Sequence, residues 1–175
     1  MPTNGCHARA PRACSKRVVS MNDKIAKQQL DNFIARYSPE VAGVARQALK
    51  KMRARLPGAV ELVYDNYNAL AIGFGPSERT GDLIFSITLY PRWVSLFFTQ
   101  GADLPDPGKL LRGSGKKIRH IVLDDVTTLD KPHVRTLMNH ALKLATVKPD
   151  AKTSGRIVIK SVVARQRPRR PGKKS

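Results

Sequence analysis

The spacing of the apolar residues changes twice along this chain, and those two changes restrict it to one fold class. Up to Pro57-Gly58, and again after Asp130, apolar residues recur every third or fourth position, whereas between Val60 and Leu123 they recur every second. The first spacing lines one side of an α-helix and the second lines one side of a strand. Helices, then strands, then a helix describe an α+β protein.

Ala26, Leu30, Phe33, Ile34 and Tyr37 make the first stripe and predict a helix over 22–37. Ser38, Pro39 and Glu40 open a second one, with a capping hydroxyl, a proline whose missing N–H is not needed there, and an acid at the positive end of the dipole. Val41, Val44, Ala45, Ala48, Leu49, Met52 and Leu56 keep its period until Pro57-Gly58 stops it. Strands are predicted over 61–66, 69–74, 82–90, 93–98 and 118–123, and such short connections imply antiparallel neighbours. Val134, Leu137, Met138, Ala141 and Ala145 restore the helical period, and 156–163 reads as one more strand. The expected architecture is an antiparallel sheet of five to six strands with the helices packed on one face, a two-layer sandwich over residues 22–163. Residues 1–21 and 164–175 are expected to be disordered basic ends, because neither offers what a core could use.

The formal charge of +19 is concentrated at those ends. Residues 1–20 carry +4 and residues 148–175 carry +9, which leaves +6 for the stretch between. Such a field favours anionic partners, nucleic acid or an acidic protein, and equally describes tails that keep a protein soluble. No apolar stretch approaches the ~20 residues a membrane span needs. Cys6 and Cys14 match neither a disulfide framework nor a metal-ligand spacing, so a reducing cytoplasm is expected. The acid-free, arginine-bearing start has the composition of an organellar transit peptide, and Met21 is as good a translation start as Met1.

The chemistry-bearing segments are few. Gly113, Ser114, Gly115, Lys116, Lys117 and Arg119 make a glycine-rich basic loop ahead of a strand, where backbone N–H groups and cations can hold an anion. It lacks the P-loop spacing and precedes a strand, so a turn with solvated lysines is the simpler reading. Asp124, Asp125 and Asp130 are weak candidates for a hard cation, against the ordinary reading of helix caps and turns. His133 and His140 stand two helical turns apart, too far to share a zinc ion. Tyr64, Tyr67, Tyr90, Trp93 and Phe97 fall in the sheet. Each reads as cross-strand packing, or, if several share the face away from the helices, as a stacking platform beside Arg92 and Arg119. Arg46, Lys50 and Arg53 line the polar side of the second helix. No nucleophile, dinucleotide or metalloprotease signature occurs, so the chain is read as not an enzyme and as needing no cofactor.

The order of Leu30-Asp-Asn-Phe-Ile34, Tyr37-Ser-Pro-Glu40, Leu56-Pro-Gly-Ala59, Tyr90-Pro-Arg-Trp-Val-Ser-Leu-Phe-Phe98 and Gly113–His120 resembles the bacterial YdhG-like domain family, over about residues 24–147. Val163–Pro171 also looks like the end of one subgroup. The resemblance implies a fold similar to frataxin in a family without a settled activity, one member of which is regarded as an intracellular iron chaperone. Frataxin-type iron binding uses an acidic ridge on the first helix, yet residues 22–56 here hold three acids and eight bases, a surface that repels iron cations. The expectation is therefore a non-enzymatic cytoplasmic binding module for an anionic partner, with an iron chaperone as the alternative and a small-ligand carrier as a third reading.

Overall fold

The computed structural model describes the backbone of residues 13–172 and the side chains of residues 21–172. Three helices, α1 (Ala13–Ala35), α2 (Pro39–Arg55) and α3 (Pro132–Leu144), accompany six strands. These are β1 (Val60–Asp65), β2 (Leu70–Gly75), β3 (Phe85–Leu89), β4 (Val94–Phe98), β5 (Arg119–Leu123) and β6 (Ile157–Val162). No described helix is long and apolar enough to cross a membrane.

The sheet runs β5-β4-β3-β2-β1-β6. The first five strands form the expected antiparallel meander, with Val63, Ile72, Ile87, Leu96 and Ile121 in one cross-strand row. The expectation of a wholly antiparallel sheet is wrong, because β6 pairs parallel with β1. The chain between β5 and β6 contains α3 and further loop, which is long enough for the crossover a parallel neighbour requires. Local spacing revealed β6 as a strand, but its partner is set by where that crossover lands.

Alternation decides which side chains are buried together. Val63, Leu70, Ile72, Phe74, Phe85, Ile87, Leu89, Val94, Leu96, Phe98, Ile121 and Leu123 share one parity. They join Leu30 and Ile34 of α1, Val41 to Met52 of α2 and Val134, Leu137 and Met138 of α3 in one core. Ser38 accepts a hydrogen bond from the Val41 N–H, the cap the sequence predicts. On the opposite face the connection from β2 to β3 folds back over the sheet. A Cβ on Gly73 would stand 2.6 Å from Leu83 Cδ1, so Leu83 occupies the space a side chain there would fill. Tyr64 and Thr80 hydroxyls meet at 2.8 Å beside it.

Both expected ends need correction. α1 begins at Ala13, inside the segment expected to be disordered, because nothing between Ala13 and Tyr37 breaks a helix. Residues 1–12, including Cys6 and His7, and residues 173–175 lie outside the described residues, as does the side chain of Cys14. At the other end, residues 163–170 are fastened to the domain. Val163 N–H donates to the Asp65 carbonyl and Arg167 N–H to the Tyr67 carbonyl. Arg169 is 4% exposed. From Arg165 on the segment has no apolar side chain to bury, so composition marks it as unable to pack; what docks it is backbone N–H and guanidinium groups meeting acceptors.

Candidate functional site

The basic loop at 113–118 is held at its base. Arg112 and His120 exchange two backbone hydrogen bonds of 2.8 and 2.9 Å, and Ala102 N–H donates to the Lys117 carbonyl at 2.8 Å. Gly113 adopts φ +116°, a conformation that favours glycine and turns the chain. Arg119 does not face outward as an anion ligand. Its guanidinium donates to the carbonyls of Gly115 and Ile118, so it braces the loop, while Ser114, Lys116 and Lys117 are exposed. The loop therefore presents two lysines.

That loop adjoins an aromatic surface. Tyr64, Ala71, Thr88, Ser95 and Val122 make one row on the face opposite the core, and Leu62, Gly73, Ser86, Phe97 and His120 make the next. Leu83 and Thr80 lie over the β1–β2 half of this face. On the β3–β5 half Phe97 stacks on His120, with centroids 4.9 Å apart and planes at 24°. Tyr90 stacks on Trp93 at 5.2 Å and 26°. Trp93 stands just before β4, four residues from Phe97, so the two stacked pairs are about 13 Å apart along the chain at the ordinary rise of a strand. Trp93 is 44% exposed, and Phe97, His120 and Tyr90 are half-buried. Burial, with Arg112 nearby, lowers the His120 pKa and so favours the neutral ring. Of the five aromatics singled out from sequence, Tyr64 and Phe97 lie on this face, Tyr90 and Trp93 flank the β3–β4 turn where Trp93 also borders Glu40 and Val41 of α2, and Tyr67 sits in the β1–β2 turn with Arg167 5.9 Å above its ring.

The aspartates expected as weak metal ligands are engaged separately. Asp125 caps the turn after β5, accepting from the Thr127 hydroxyl at 2.5 Å, from Thr127 N–H at 2.7 Å and from Thr128 N–H at 3.3 Å; the Thr127 hydroxyl bond first, then these N–H bonds, hold its carboxyl below the usual range. Asp130 is ion-paired with Lys51 and lies 3.7 Å from Arg55. Asp124 lines a shallow groove with Glu40, Arg92 and Trp93. Among the described residues no group of three or more His, Cys, Asp or Glu is placed to hold a metal ion.

Two acids that sequence reasoning passed over, Glu61 and Asp65, are the buried carboxylates among the described residues. Glu61 and Asp65 share the core-facing parity of β1 with Val63. Arg53 clamps Glu61 through two bonds of 2.6 and 2.8 Å. Asp65, 1% exposed, is held by Arg36 at 3.0 Å and by Arg169 at 2.6 Å. Polarity alone places Glu61 and Asp65 outward; only the parity of Val63 and of the neighbouring strands points them inward.

The loop and the C-terminal segment occupy opposite corners of the sheet. The loop precedes edge strand β5, and the segment follows the far end of the other edge strand, β6. Compared with protein-family models, with curated proteins and with solved structures, the chain matches none.

Proposed function

We propose that the protein is a non-enzymatic binding module for an anionic partner, and that the partner is single-stranded nucleic acid laid along the β3–β5 half of the outer sheet face. The observation that carries this reading is the pair of stacked aromatic couples, Tyr90–Trp93 and Phe97–His120, next to a pinned loop that offers Lys116 and Lys117. Bases stack on aromatic side chains whatever their sequence, and nearby cations track the phosphates. Arg92 beside Trp93 and Arg112 beside His120 extend that cationic border. The net charge of +19 adds long-range attraction. A duplex fits less well, since its bases are already stacked on one another.

The same reading takes the helices as one layer against the other sheet face, the arrangement that the resemblance to YdhG-like domains implies, and places the protein in the cytoplasm. Iron binding is not favoured by any observation at Asp124, Asp125 or Asp130.

The test uses Trp93, the single tryptophan of the chain. Titration with short single-stranded RNA and DNA quenches its fluorescence, and affinity falls steeply with salt, with a slope of about −0.7 per phosphate contacted. Duplex of the same length binds more weakly. Absence of quenching at low salt, or binding indifferent to salt, rejects the proposal.

A further inference from the structure

On the other side of the sheet a cavity of about 370 Å3 opens between the start of β1, the start of β6 and the two N-terminal helices. Its volume is within the range of small-molecule sites, about 300–1,000 Å3. Its floor is apolar, made by Leu56, Ala59, Phe74 and Ile157. Its walls carry charge from separate elements: Asp23 and Lys27 from α1, Arg53 from α2, Glu61 from β1 and Arg156 from the residue before β6.

The Arg53–Glu61 pair is the unusual part. Glu61 is 5% exposed, and both of its oxygens are taken by Arg53. Withdrawing a carboxylate from water to this depth costs several kcal/mol that the ion pair largely offsets, so the pair adds little net stability compared with apolar residues. Its geometric effect is firmer. The clamp fixes the Arg53 guanidinium in the cavity wall with one edge spent on Glu61, and the residue remains partly exposed. A guanidinium held this way is pre-organised to take a second carboxylate on its remaining N–H groups.

We infer that this cavity binds a small organic monocarboxylate, its apolar body on Leu56, Ala59, Phe74 and Ile157 and its carboxylate between Arg53, Lys27 and Arg156. The charges around the cavity limit a ligand to at most a single negative charge. The lining holds three cations and two acids, a surplus of one. Glu61 is neutralised by Arg53, whose pKa the Glu61 bond and, to a lesser extent, Asp31 raise, and Arg156 also holds Glu78. A multiply charged phosphate would meet too many carboxylates, whereas a neutral ligand would leave the lysine and the arginine edges unpartnered. Glycines at the rim are structural and do not cradle the ligand. A Cβ on Gly155 would stand 2.6 Å from the Ala59 carbonyl oxygen, and one on Gly58 would overlap that of Asp150.

The experiment is a titration of the isotope-labelled full-length protein with sodium octanoate and sodium benzoate, followed by backbone amide resonances. Saturable shifts are expected at Ala59, Glu61, Gly155 and Ile157, and the stronger of the two acids tells an aliphatic from an aromatic body. Octanamide binds about tenfold more weakly than octanoate, as does octanoate to Lys27→Glu, a loss of about 1.4 kcal/mol. Lys27 is exposed, so its variant keeps the thermal midpoint of the parent, and Arg156→Gln provides a second weakened site on a folded protein. No saturable shift with either acid up to about 10 mM, or octanamide binding as tightly as octanoate, overturns the inference. Because the cavity and the aromatic face lie on opposite sides of the sheet, failure here leaves oligonucleotide binding unaffected, and the reverse also holds.

Discussion

Two stretches of this chain look alike on paper and behave differently in the fold. Residues 113–119 and residues 164–170 are both polar, both basic and both devoid of long apolar side chains apart from Ile118. The first keeps Lys116 and Lys117 in solvent, and the second buries Arg169 almost completely. The difference lies in the acceptors. Arg169 reaches Asp65 and the Asn66 carbonyl, and Arg170 donates to the Ala35, Arg36 and Tyr37 carbonyls left open at the end of α1. The loop has only its own carbonyls, which Arg119 takes. A cationic run becomes structure where an acceptor is already buried, and stays a surface where none is.

Removing that acceptor is the most damaging way to break the comparison. Asp65→Asn keeps the shape but leaves Arg169 buried without its counter-charge, with the Nε already lacking an acceptor above the Tyr37 ring. Loss of one partner of a buried pair costs about 3–5 kcal/mol. Urea denaturation reads it, and the Asp65→Asn, Arg169→Gln double variant loses less than the two single losses combined because the stranded charge is gone. Additive losses would mean that Asp65 and Arg169 do not act on one another.

Tyr37 reports on the same junction through pH. It is 1% exposed, its hydroxyl donates to the Leu89 carbonyl at 3.2 Å, and burial pushes its pKa up to about 12. Between pH 10, where the unfolded chain gives up the phenol proton, and about 12, the folded state binds more protons. Stability contributed by this group is therefore complete below pH 10 and lost as pH rises through about 12, by roughly 2–3 kcal/mol. Denaturation midpoints measured from pH 9 to 12.5 should show that decline in the parent and a shallower one in Tyr37→Phe. Equal slopes would assign the alkaline loss to other groups.

What was legible in the sequence follows the range of the interaction. Ser38-Pro39 and the stripe from Val41 to Met52 give α2 almost to the residue, since caps and helical spacing are local. The meander is equally plain from Ile84 to Phe98, where short connections leave no alternative to antiparallel pairing. The parallel docking of β6, the inward turn of Glu61 and Asp65, and the anchoring of Arg169 depend on partners 96 to 104 positions away or on a sheet parity that a single strand does not fix. The site divides in the same way. Gly113–Lys117 could be recognised as a basic turn, but Arg119 changes from ligand to brace, and His120 joins Phe97 only through cross-strand register. Tyr90 and Trp93 pair across a tight turn, so that stack is set locally by the Tyr-Pro-Arg-Trp run.

Binding sharpens the comparison from the side of the loop. Trp93→Ala removes an exposed ring and should weaken single-stranded oligonucleotide binding by about 1–3 kcal/mol. Fluorescence anisotropy with a labelled oligonucleotide measures that loss without depending on the tryptophan. An unchanged affinity would remove Trp93 from the surface that meets the partner.

The smallest effect on the fold is expected at the loop lysines, and it discriminates most finely between the two basic stretches. Lys116→Gln and Lys117→Gln remove exposed charges that make no side-chain hydrogen bond or ion pair among the described residues, so unfolding should move by no more than about 0.5 kcal/mol. If both lysines meet phosphates, the salt slope of single-strand binding becomes shallower by about 1.4, near 0.7 for each counterion no longer released. Arg165→Gln with Arg167→Gln, at the opposite corner, should leave that slope almost unchanged. The reverse outcome, a slope that responds at Arg165 and Arg167 but not at the lysines, would move the anionic partner to the β6 corner. Anchoring by Arg169 would then act to present the two arginines beside it, and the loop would be left as an ordinary solvated turn.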